Sequence, residues 1–426
     1  MYVLAAGAAV GIVAVILFLA LASDSSIAHE QEKNMPLLHD AGLDIELVAE
    51  GLAYPTSMRF LDDDSGSILV LQKNDGQVRL VSGGRLAEEP VLQVDVANEA
   101  ERGLLGIAVW DGGNDTTSVF LYLTEVDDNS GEIRNRVYKY LYDENEKTLI
   151  NRARILDLPG EPGPFHDGGK VAIGPDGNLY AVIGDVNAGG GMLDNQILGR
   201  LPDDKSVVFR VDRDTGMPVE GNPFYYNNYT GDMEKLRRYY AYGIRNSFGL
   251  DFDPLTGRLW ITENGPDSYD EINVVEPGFN SGWHKVMGPI SRTNATEGDL
   301  VLFNGSQYRD PVFSLRAPIG VTDIEFFDSP KLGEKYQNNI FVGDINYGNL
   351  YFFKLNKERD GLELDSINGL ADLVADPVGD DMLGEASPVI IGERFGRITD
   401  IETGPDGYLY VLTYLDGKIY RITERE

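Results

Sequence analysis

The chain has 426 residues, with 69 acidic and 36 basic side chains, a formal net charge of -33 and no cysteine. Because nucleic-acid affinity depends on clustered Lys and Arg, this charge excludes a phosphate-backbone binder, and the lack of cysteine excludes disulfides. Acidic side chains keep a protein soluble, and they also supply the oxygen ligands that a hard divalent cation prefers.

The N-terminus predicts a leader and then a tether. Residues 2–22 contain no charged side chain, and about 20 apolar residues suffice to span a bilayer. The Ala-Leu-Ala ending before Ser23 is typical of a signal-peptidase site, whereas the absence of Lys or Arg at the start favours an uncleaved membrane anchor. Both alternatives remain open. Residues 23–41 are polar and predict a tether, so we expect an extracellular or cell-surface protein.

The predicted domain, residues 42–426, contains six similar strand runs that start about 50 to 80 residues apart. They are SILVLQK from Ser67, VFLYLTE from Val119, NLYAVIGD from Asn178, RLWITEN from Arg258, NIFVGD from Asn339 and YLYVLTY from Tyr408. Turns rich in Gly, Pro and Asp separate paired apolar runs, as in hairpins. This spacing predicts an all-β, six-bladed β-propeller. The run LDIELVAEG from Leu43 is expected to complete the last blade beside the C-terminal strands.

Two other fold classes are less consistent with the sequence. A β-sandwich usually holds fewer hairpins than this chain encodes, and a radial arrangement accommodates them without long exposed edges. A βαβ fold is disfavoured because convincing amphipathic helices are hard to find.

Four loop motifs concentrate glycine, charge and one histidine, and we place the active site there. They are GLLG at 103–106, FHDGG at 165–169, YGIRN at 242–246 and NGPDSYDE at 264–271.

His166 is the candidate general base. It lies among small residues that let a ligand approach, and histidine suits proton transfer near neutral pH. The alternative is a structural histidine bonded to a backbone carbonyl. His284, which follows Trp283, indicates packing.

Two further motifs suggest oxyanion stabilisation and metal binding. Arg245 lies at the entrance to an apolar strand, where it could stabilise a developing oxyanion or form an ion pair between blades. Asp270 and Glu271 follow the carbonyls of Gly265 and Pro266, an oxygen-rich set that suits Ca²⁺ but is equally consistent with a solvated acidic turn.

In this order, the motifs resemble those of the soluble quinoprotein glucose/sorbosone dehydrogenases, also called aldose sugar dehydrogenases. The resemblance covers about residues 43–423 and includes GLLG, H-x-G followed by GPDG, G-x-RN and E-x-GP followed by DEIN. It implies a propeller that binds pyrroloquinoline quinone (PQQ) and Ca²⁺. It also implies oxidation of a sugar C1 hydroxyl to the lactone, with hydride transfer to the quinone and electrons passed to an external acceptor.

The resemblance also implies a role for each matching residue. The implied catalytic residues are His166 as base, Asp185 as its partner and Arg245 over the cofactor carbonyl. The implied cofactor contacts are Asn246, Arg397, Glu101 and Asn264. The implied metal ligands are the Gly265 and Pro266 carbonyls at the active-site calcium, and Asp270 and Glu271 at a second, structural calcium.

Several positions depart from the family pattern. PQQ carries three carboxylates, so its pocket needs fixed cations, yet Asn346 stands where relatives place a lysine and Thr399 where they place an arginine. Glu101 replaces an amide and Ser281 a tyrosine found in some members. Substitute cations could come from Lys170, Arg102 or Arg316.

Two alternatives stay open, and the departures favour the first of them. One is a non-catalytic propeller relative that binds glycan or protein through the same face and has lost the cofactor. The other is a calcium-dependent lactonase on an analogous propeller, which would need side-chain metal ligands in the central channel.

Overall fold

The computed structural model describes residues 35–61, 66–113, 116–188, 191–196 and 201–425. The predicted leader at 2–22 and most of the tether lie outside the described residues. The chain divides into two compact units, Met1–Leu37 and Leu38–Glu426, and only residues 35–37 of the first are described. The short strand Leu37–Leu38 lies across this boundary.

The strands of the second unit form six sheets, numbered here in chain order. Sheet 1 contains Pro55–Phe60, Ile68–Gln72, Gln77–Ser82, Arg85–Leu86 and Leu92–Gln93. Sheet 2 contains Leu104–Asp111, Thr117–Val126, Ile133–Asp143 and Thr148–Pro159. Sheet 3 contains Val171–Ile173, Leu179–Ile183, Val207–Val211, Tyr239–Tyr242, Phe279–Asn280 and Gln307–Tyr308.

The remaining three sheets come from the second half of the chain. Sheet 4 contains Leu250–Phe252, Leu259–Glu263, Asp270–Val275, Phe313–Leu315 and Val374–Ala375. Sheet 5 contains, within the second unit, Val321–Phe327, Asn339–Asp344, Leu350–Phe353 and Ile390–Glu393. Sheet 6 contains Ile398–Thr403, Leu409–Thr413, Lys418–Glu424 and, from the start of the domain, Leu43–Ala49.

The sheets are arranged as a propeller, which confirms the predicted all-β class. Each sheet begins with an innermost strand and continues outward through antiparallel neighbours, with parallel pairings at the outer strands of sheets 3 and 4. The innermost strands contact one another in cyclic order. Leu43 pairs with Glu424 in an antiparallel ladder, so the predicted closure beside the C-terminal strands is confirmed. Each of the six strand runs identified in the sequence lies in a different sheet.

Apolar side chains between neighbouring sheets form the core. The second strand of most sheets is buried along its whole length, because both of its faces pack against neighbouring sheets. Trp260, for example, is fully buried between sheets 4 and 5 and packs its ring edge against Phe326 at 5.8 Å between centroids.

Helices are short in the described part of the chain. Four 3-10 helices are found there, at Gly231–Arg238, Ile290–Arg292, Glu297–Asp299 and Gly384–Val389. Among the described residues, no helix combines the length and apolarity needed to cross a membrane.

Charged side chains line the centre of the ring. Lys170 Nζ lies 2.7 Å from Asp323 Oδ1 and 2.5 Å from Asp400 Oδ1, and Arg59 forms an ion pair with Glu402 two residues further along the same strand as Asp400. Residues i and i+2 of a strand share a face, so the strand Ile398–Thr403 presents charges at two levels through Asp400 and Glu402. These ion pairs join sheets 1, 3, 5 and 6 at the axis.

Candidate active site

The loops that precede the innermost strands of sheets 2, 3 and 4 converge at one end of the ring. Glu101 belongs to the first loop, His166 to the second and Arg245 to the third. Hydrogen bonds between these loops show that they meet. Asp185 and Asn264 join them from loops that follow the second strands of sheets 3 and 4.

His166 and Asp185 form a hydrogen-bonded pair, with 2.6 Å between Nδ1 and Oδ1. Asp185 also accepts bonds from Trp283 Nε1 at 2.9 Å and from the Asn187 backbone at 2.8 Å. Burial raises the pKa of Asp185, but the bonds from His166 and Trp283 outweigh that effect, and the net shift is downward. The aspartate is therefore held ionised against the imidazole.

His166 has a backbone φ of 65°, in the left-handed region. Its backbone N–H donates to Glu101 Oε2 at 2.7 Å, which fixes this uncommon conformation. The side chain is mostly buried, with 13% of its surface exposed. The imidazole orientation is thus fixed by two contacts, the ring bond to Asp185 and the backbone bond to Glu101.

Glu101 joins the three loops. The oxygen that binds the His166 backbone also accepts a bond from Asn246 Nδ2 at 3.0 Å, and Asn246 Oδ1 accepts one from the Gly168 backbone at 3.3 Å. The structure therefore brings Glu101 and Asn246, both implied cofactor contacts, into the site. Their polar groups are already bonded to the protein.

Arg245 lies beside this network and keeps a side-chain donor, Nε, that binds no described residue. Its backbone N–H donates to Glu263 Oε1 at 2.7 Å, its Nη1 donates to the Asn264 carbonyl at 3.0 Å, and its guanidinium lies 5.3 Å from the centroid of the Trp283 ring. Its Nε is buried and has no hydrogen-bond partner among the described residues. Burial lowers the pKa of Arg245, although nearby Asp185 and Glu263 oppose the shift.

The turn after Asn264 is tightly packed. A Cβ at Gly265 would lie 2.1 Å from the Tyr269 carbonyl oxygen and 2.2 Å from that of Ser268, so only glycine fits. Asp270 orders this turn, because its carboxylate accepts backbone bonds from Gly265, Ile319, Gly320 and Val321. Both oxygens of Asp270 are thus occupied, and its role as a calcium ligand stays a prediction.

The carbonyl oxygens of Gly265 and Pro266 accept no hydrogen bond from the described residues. The Asn264 side chain donates to the Val321 carbonyl at 2.8 Å, which anchors the start of the turn. Two adjacent free carbonyls on an anchored turn suit a bound cation.

Glu271 lies in a second, buried carboxylate group with Glu263. Asn273 Nδ2 donates to Glu271 at 2.9 Å, and Ser281 Oγ donates to Glu263 at 2.6 Å. Burial raises the pKa of Glu271 to about 7, and burial together with Glu271 raises that of Glu263. Among the described residues, neither carboxylate forms an ion pair, and the role of Glu271 at a structural calcium stays a prediction.

A central cavity of about 210 Å³ opens between these loops. We call it the central cavity and define it by its lining, which combines charged, hydroxyl and apolar groups: Thr56, Ser57, Lys73, Ala100, Glu101, Leu105, Gly168, Lys170, Phe248, Thr322, Ile345, Thr399, Asp400 and Tyr414. Residues from all six sheets or their preceding loops therefore contribute to it.

The cations expected at the far side of this cavity are not arranged to bind carboxylates. Asn346 and Arg397 are exposed, and the Thr399 hydroxyl donates to the Pro55 carbonyl at 3.0 Å. Lys170 lines the cavity but is neutralised by Asp323 and Asp400.

The other two substitute cations are also engaged. Arg102 is buried and donates to the Gly160 carbonyl at 2.5 Å, and Arg316 is 57% exposed beside Asp376. Lys73 is a further cation, which the sequence analysis did not identify. Its ammonium group donates hydrogen bonds to the carbonyls of Asn98, Ala100 and Arg102.

These contacts test whether a quinone and calcium fit. At the catalytic side they fit, because the unpartnered Arg245 Nε can donate to a ligand carbonyl and the free carbonyls of Gly265 and Pro266 can bind a cation. At the far side the fit is partial, since the cavity lining offers the Thr399 hydroxyl there and does not include the exposed Arg397.

The glucose/sorbosone dehydrogenase family matches residues 52–421, nearly the whole propeller. The chain belongs to this family. It is 27% identical over 392 residues to the aldose sugar dehydrogenase YliI of Escherichia coli, covering 90% of this chain and 94% of the relative.

Solved structures of family proteins share the fold. A Thermus thermophilus protein described as a putative glucose dehydrogenase superposes with a TM-score of 0.66 at 26% identity, covering 89% of this chain and 100% of the other. The PQQ-bound aldose sugar dehydrogenase of Streptomyces coelicolor superposes with a TM-score of 0.63 at 23% identity, covering 91% and 99%.

Two residues of this candidate site were not identified as site residues from the sequence. Trp283 binds Asp185 and lies against Arg245, and Glu263 holds the Arg245 backbone. The glutamate is the last residue of an otherwise apolar strand and directly precedes the NGP turn, a signal that sequence reasoning could have used. The tryptophan carried no such signal, because its contact with Asp185 spans 98 positions.

Proposed function

We propose that this protein is a PQQ-dependent aldose sugar dehydrogenase that oxidises the C1 hydroxyl of a sugar to the lactone and passes electrons to an external acceptor. The proposal takes each of the six sheets as one blade. Its main support is the His166–Asp185 pair beside Arg245, whose buried Nε lacks a partner. The resemblance to a relative named an aldose sugar dehydrogenase adds to this support.

His166 acts as the base in this proposal. Ionised Asp185 accepts a hydrogen bond from His166 Nδ1. Nε2 is therefore the nitrogen that accepts the proton of the anomeric hydroxyl. Asp185 then stabilises the imidazolium, and Trp283 keeps the aspartate in place. The proton is thus held at one defined atom.

Arg245 orients oxygen atoms at the reacting centre. The guanidinium is fixed by the Asn264 carbonyl and by Trp283. Its free Nε donor therefore needs no further rearrangement to bind an oxygen atom of the reacting groups. PQQ, when bound, supplies the hydride acceptor. The carbonyls of Gly265 and Pro266 would hold the calcium ion that acts as a Lewis acid toward it.

A non-catalytic binding module is the second candidate. The observation that favours it is the far side of the central cavity, where Asn346 and Thr399 replace cations and Lys170 is already paired. A calcium-dependent lactonase receives less support. Asp323, Asp400 and Glu402 do lie together in the channel, with ligand atoms within 4.8 Å of one another, but Lys170 and Arg59 already form ion pairs with all three.

We further propose that residues 2–22 direct the protein to the cell surface or out of the cell. Cell fractionation of the native organism, with N-terminal sequencing of the recovered protein, would show whether the leader is removed. Recovery only from the cytosol would contradict export.

Reconstitution tests the enzymatic proposal. Purified protein is mixed with PQQ and Ca²⁺, and a panel of aldoses is assayed by reduction of an artificial dye. We expect sugar-dependent turnover that requires both additions. If saturating PQQ produces no turnover with any aldose while the quinone is bound, the dehydrogenase proposal is wrong.

A further inference from the structure

A strip of apolar side chains lies where sheets 6 and 1 meet, at the end of the ring that carries the candidate active site. We call it the rim platform and define it by Tyr54, Tyr414 and Leu415. Tyr54 and Leu415 are 47% and 54% exposed, and the two tyrosine rings lie 5.4 Å apart between centroids at a tilt of 53°. Tyr414 also lines the central cavity, so the platform continues from that cavity to the surface.

Backbone bonds hold the rim platform in place. The turn of sheet 6 accepts a bond from the Leu52 N–H, at 3.1 Å from the Gly417 carbonyl, and the Tyr54 carbonyl accepts one from the Lys73 N–H at 3.1 Å. Tyr54 has a backbone φ of 50°, in the left-handed region that a bulky residue seldom adopts. Such unfavourable angles are retained mainly where ligands bind. This one belongs to a residue whose ring is half exposed.

Exposed aromatic side chains are concentrated at this end of the ring. The exposed aromatic residues of the described chain are Tyr54, Phe165, Tyr226 and Tyr347. Three of them lie at the active-site end, because Tyr54 and Phe165 precede innermost strands and Tyr347 follows the second strand of sheet 5. Single exposed apolar residues are common on protein surfaces, but a concentration of them marks an interaction site.

The chemistry of the rim platform suits a sugar ring. The C–H groups of a pyranose form an apolar face, and an aromatic ring removes that face from water and attracts it with its negative π surface. Polar groups flank the platform. Asp416 belongs to the same turn as Tyr414, and the Arg397 carbonyl accepts the Tyr414 N–H at 2.8 Å. Both flanking side chains are exposed and available to sugar hydroxyls.

The size and the position of the platform favour a chain of sugar rings. A stable protein–protein interface buries roughly 800 Å² on each partner, which three side chains do not supply. Sheet 3, which carries His166, and sheet 6, which carries Tyr414, lie three places apart in the cyclic order of the six sheets, so they face each other across the central cavity. A ligand that contacts both extends across the mouth of the cavity, as linked sugar rings do.

We propose that the rim platform is a subsite for the sugar rings that follow the oxidised one, so that the preferred substrate is the reducing end of a linear oligosaccharide. This inference rests on the proposed function and names its substrate class. The ring to be oxidised lies at His166, and the rings linked to it extend onto Tyr414 and Tyr54. Each added ring that stacks on a tyrosine then adds affinity.

Equilibrium binding tests the inference without turnover. Methyl glycosides lack the free C1 hydroxyl, so they bind without being oxidised there. The full-chain protein, with and without PQQ and Ca²⁺, is titrated calorimetrically with methyl cello-oligosaccharides and methyl malto-oligosaccharides of increasing length, starting from the one-ring glycoside. An aromatic contact corresponds to about 2- to 10-fold in affinity. We expect at least one series to gain about that factor for each ring that reaches the platform.

Variants assign the effect to the tyrosines. Tyr54→Asn removes the ring and places a residue that tolerates the left-handed backbone, so it should reduce the gain with chain length, and Tyr414→Ala should reduce it as well. Tyr54→Phe keeps the aromatic face and should retain the gain. The matched control is Tyr226→Asn, in the loop between the outer strands of sheet 3, which should leave the gain unchanged. Thermal unfolding shows whether each variant folds.

Three results would each overturn the inference. They are equal affinity for one-ring and longer glycosides in both series, no binding of any glycoside, and a gain that survives in the folded Tyr54→Asn and Tyr414→Ala variants.

The dye assay separates this inference from the proposed function. If monosaccharides are oxidised but kcat/KM does not rise with the length of unblocked oligosaccharides, the subsite is wrong and the dehydrogenase stands. If glycosides bind through Tyr54 and Tyr414 but no aldose is oxidised with bound PQQ, the dehydrogenase proposal fails and the glycan platform stands.

Discussion

The two sides of the central cavity differ in how the surrounding protein holds them. On the catalytic side, His166, Asp185, Arg245 and Glu101 are fixed by hydrogen bonds that join the loops of three sheets. On the far side, Asn346 and Arg397 are exposed and are not fixed in this way.

For the proposed quinoprotein, this difference means that its two requirements are encoded in separate loops. Catalysis needs side chains held in one geometry, whereas affinity for a tricarboxylate needs free positive charge. The propeller brings these loops to one cavity but does not couple their sequences. One side can therefore keep its geometry while the other loses charge.

The largest effect is expected from removing the base on the catalytic side. General bases contribute about two to four orders of magnitude in rate, so His166→Ala should reduce sugar-dependent dye reduction by about that factor. Because the His166 backbone is left-handed, His166→Asn is the better-tolerated second variant, since asparagine adopts this conformation readily.

The control is His39→Ala, a histidine bonded to the Ile390 carbonyl outside the site, which should retain the full rate. Thermal unfolding of all three variants shows whether they fold. A folded His166→Asn protein with near-normal turnover would disprove the assignment of the base.

The far side can be tested by restoring charge. Each charge-assisted contact contributes about 1.5 to 3 kcal/mol, so Asn346→Lys combined with Thr399→Arg should tighten PQQ binding by about one to four orders of magnitude. Fluorescence quenching measures the affinity. We expect the unmodified protein to be isolated without PQQ and to bind it weakly.

The matched control places the same charges elsewhere. Asn145→Lys combined with Thr148→Arg adds them to the remote hairpin of sheet 2 and should leave PQQ affinity unchanged. Tight binding by the unmodified protein would show that other cations replace the missing pair, and failure of the double variant to bind would exclude PQQ as the ligand.

Calcium removal tests the metal sites that adjoin the catalytic side. A ligand present at about 1,000 times its Kd stabilises the folded state by about 4 kcal/mol, so chelation should lower the melting temperature and remove activity, and added Ca²⁺ should restore both. Elemental analysis measures bound metal. Full activity and unchanged stability after exhaustive chelation, with no calcium present, would contradict the assignment of Gly265 and Pro266.

The smallest effect concerns Asp167, which follows the base and has one buried oxygen without a hydrogen-bond partner. Burial raises its pKa from 3.8 to about 6, although a bond from Asn135 opposes the shift. Since the folded pKa exceeds the unfolded one, this residue's contribution to the free energy of unfolding is fully present below about pH 4 and is lost as the pH rises to about 6.

The loss amounts to at most about 3 kcal/mol, because each pKa unit corresponds to about 1.4 kcal/mol. Asp167→Asn should remove this pH-dependent part, which urea unfolding at pH 4, 5, 6 and 7 would measure for both proteins. Identical pH profiles would show that Asp167 does not titrate in this range.

The strand runs and the site loops could be predicted from local sequence. A strand run with its turn is a local signal, because alternation of side chains and the special backbone angles of Gly, Pro and Asp act within a few residues. The closing strand from Leu43 and the all-β propeller followed from the same patterns. His166 and Arg245 were also identifiable, since each is a rare chemical group in a glycine-rich loop.

Tertiary structure alone decided which of these groups are free to act. Lys170 is a cation in the sequence, but Asp323 and Asp400, which come from two other sheets, neutralise it. Asp185, which binds His166, is itself held through its second oxygen by Trp283, 98 positions away. The sequence by itself thus determined which chemical groups lie near the cavity. Their pairing was decided by contacts between distant strands, because an electrostatic interaction depends on distance in space and not along the chain.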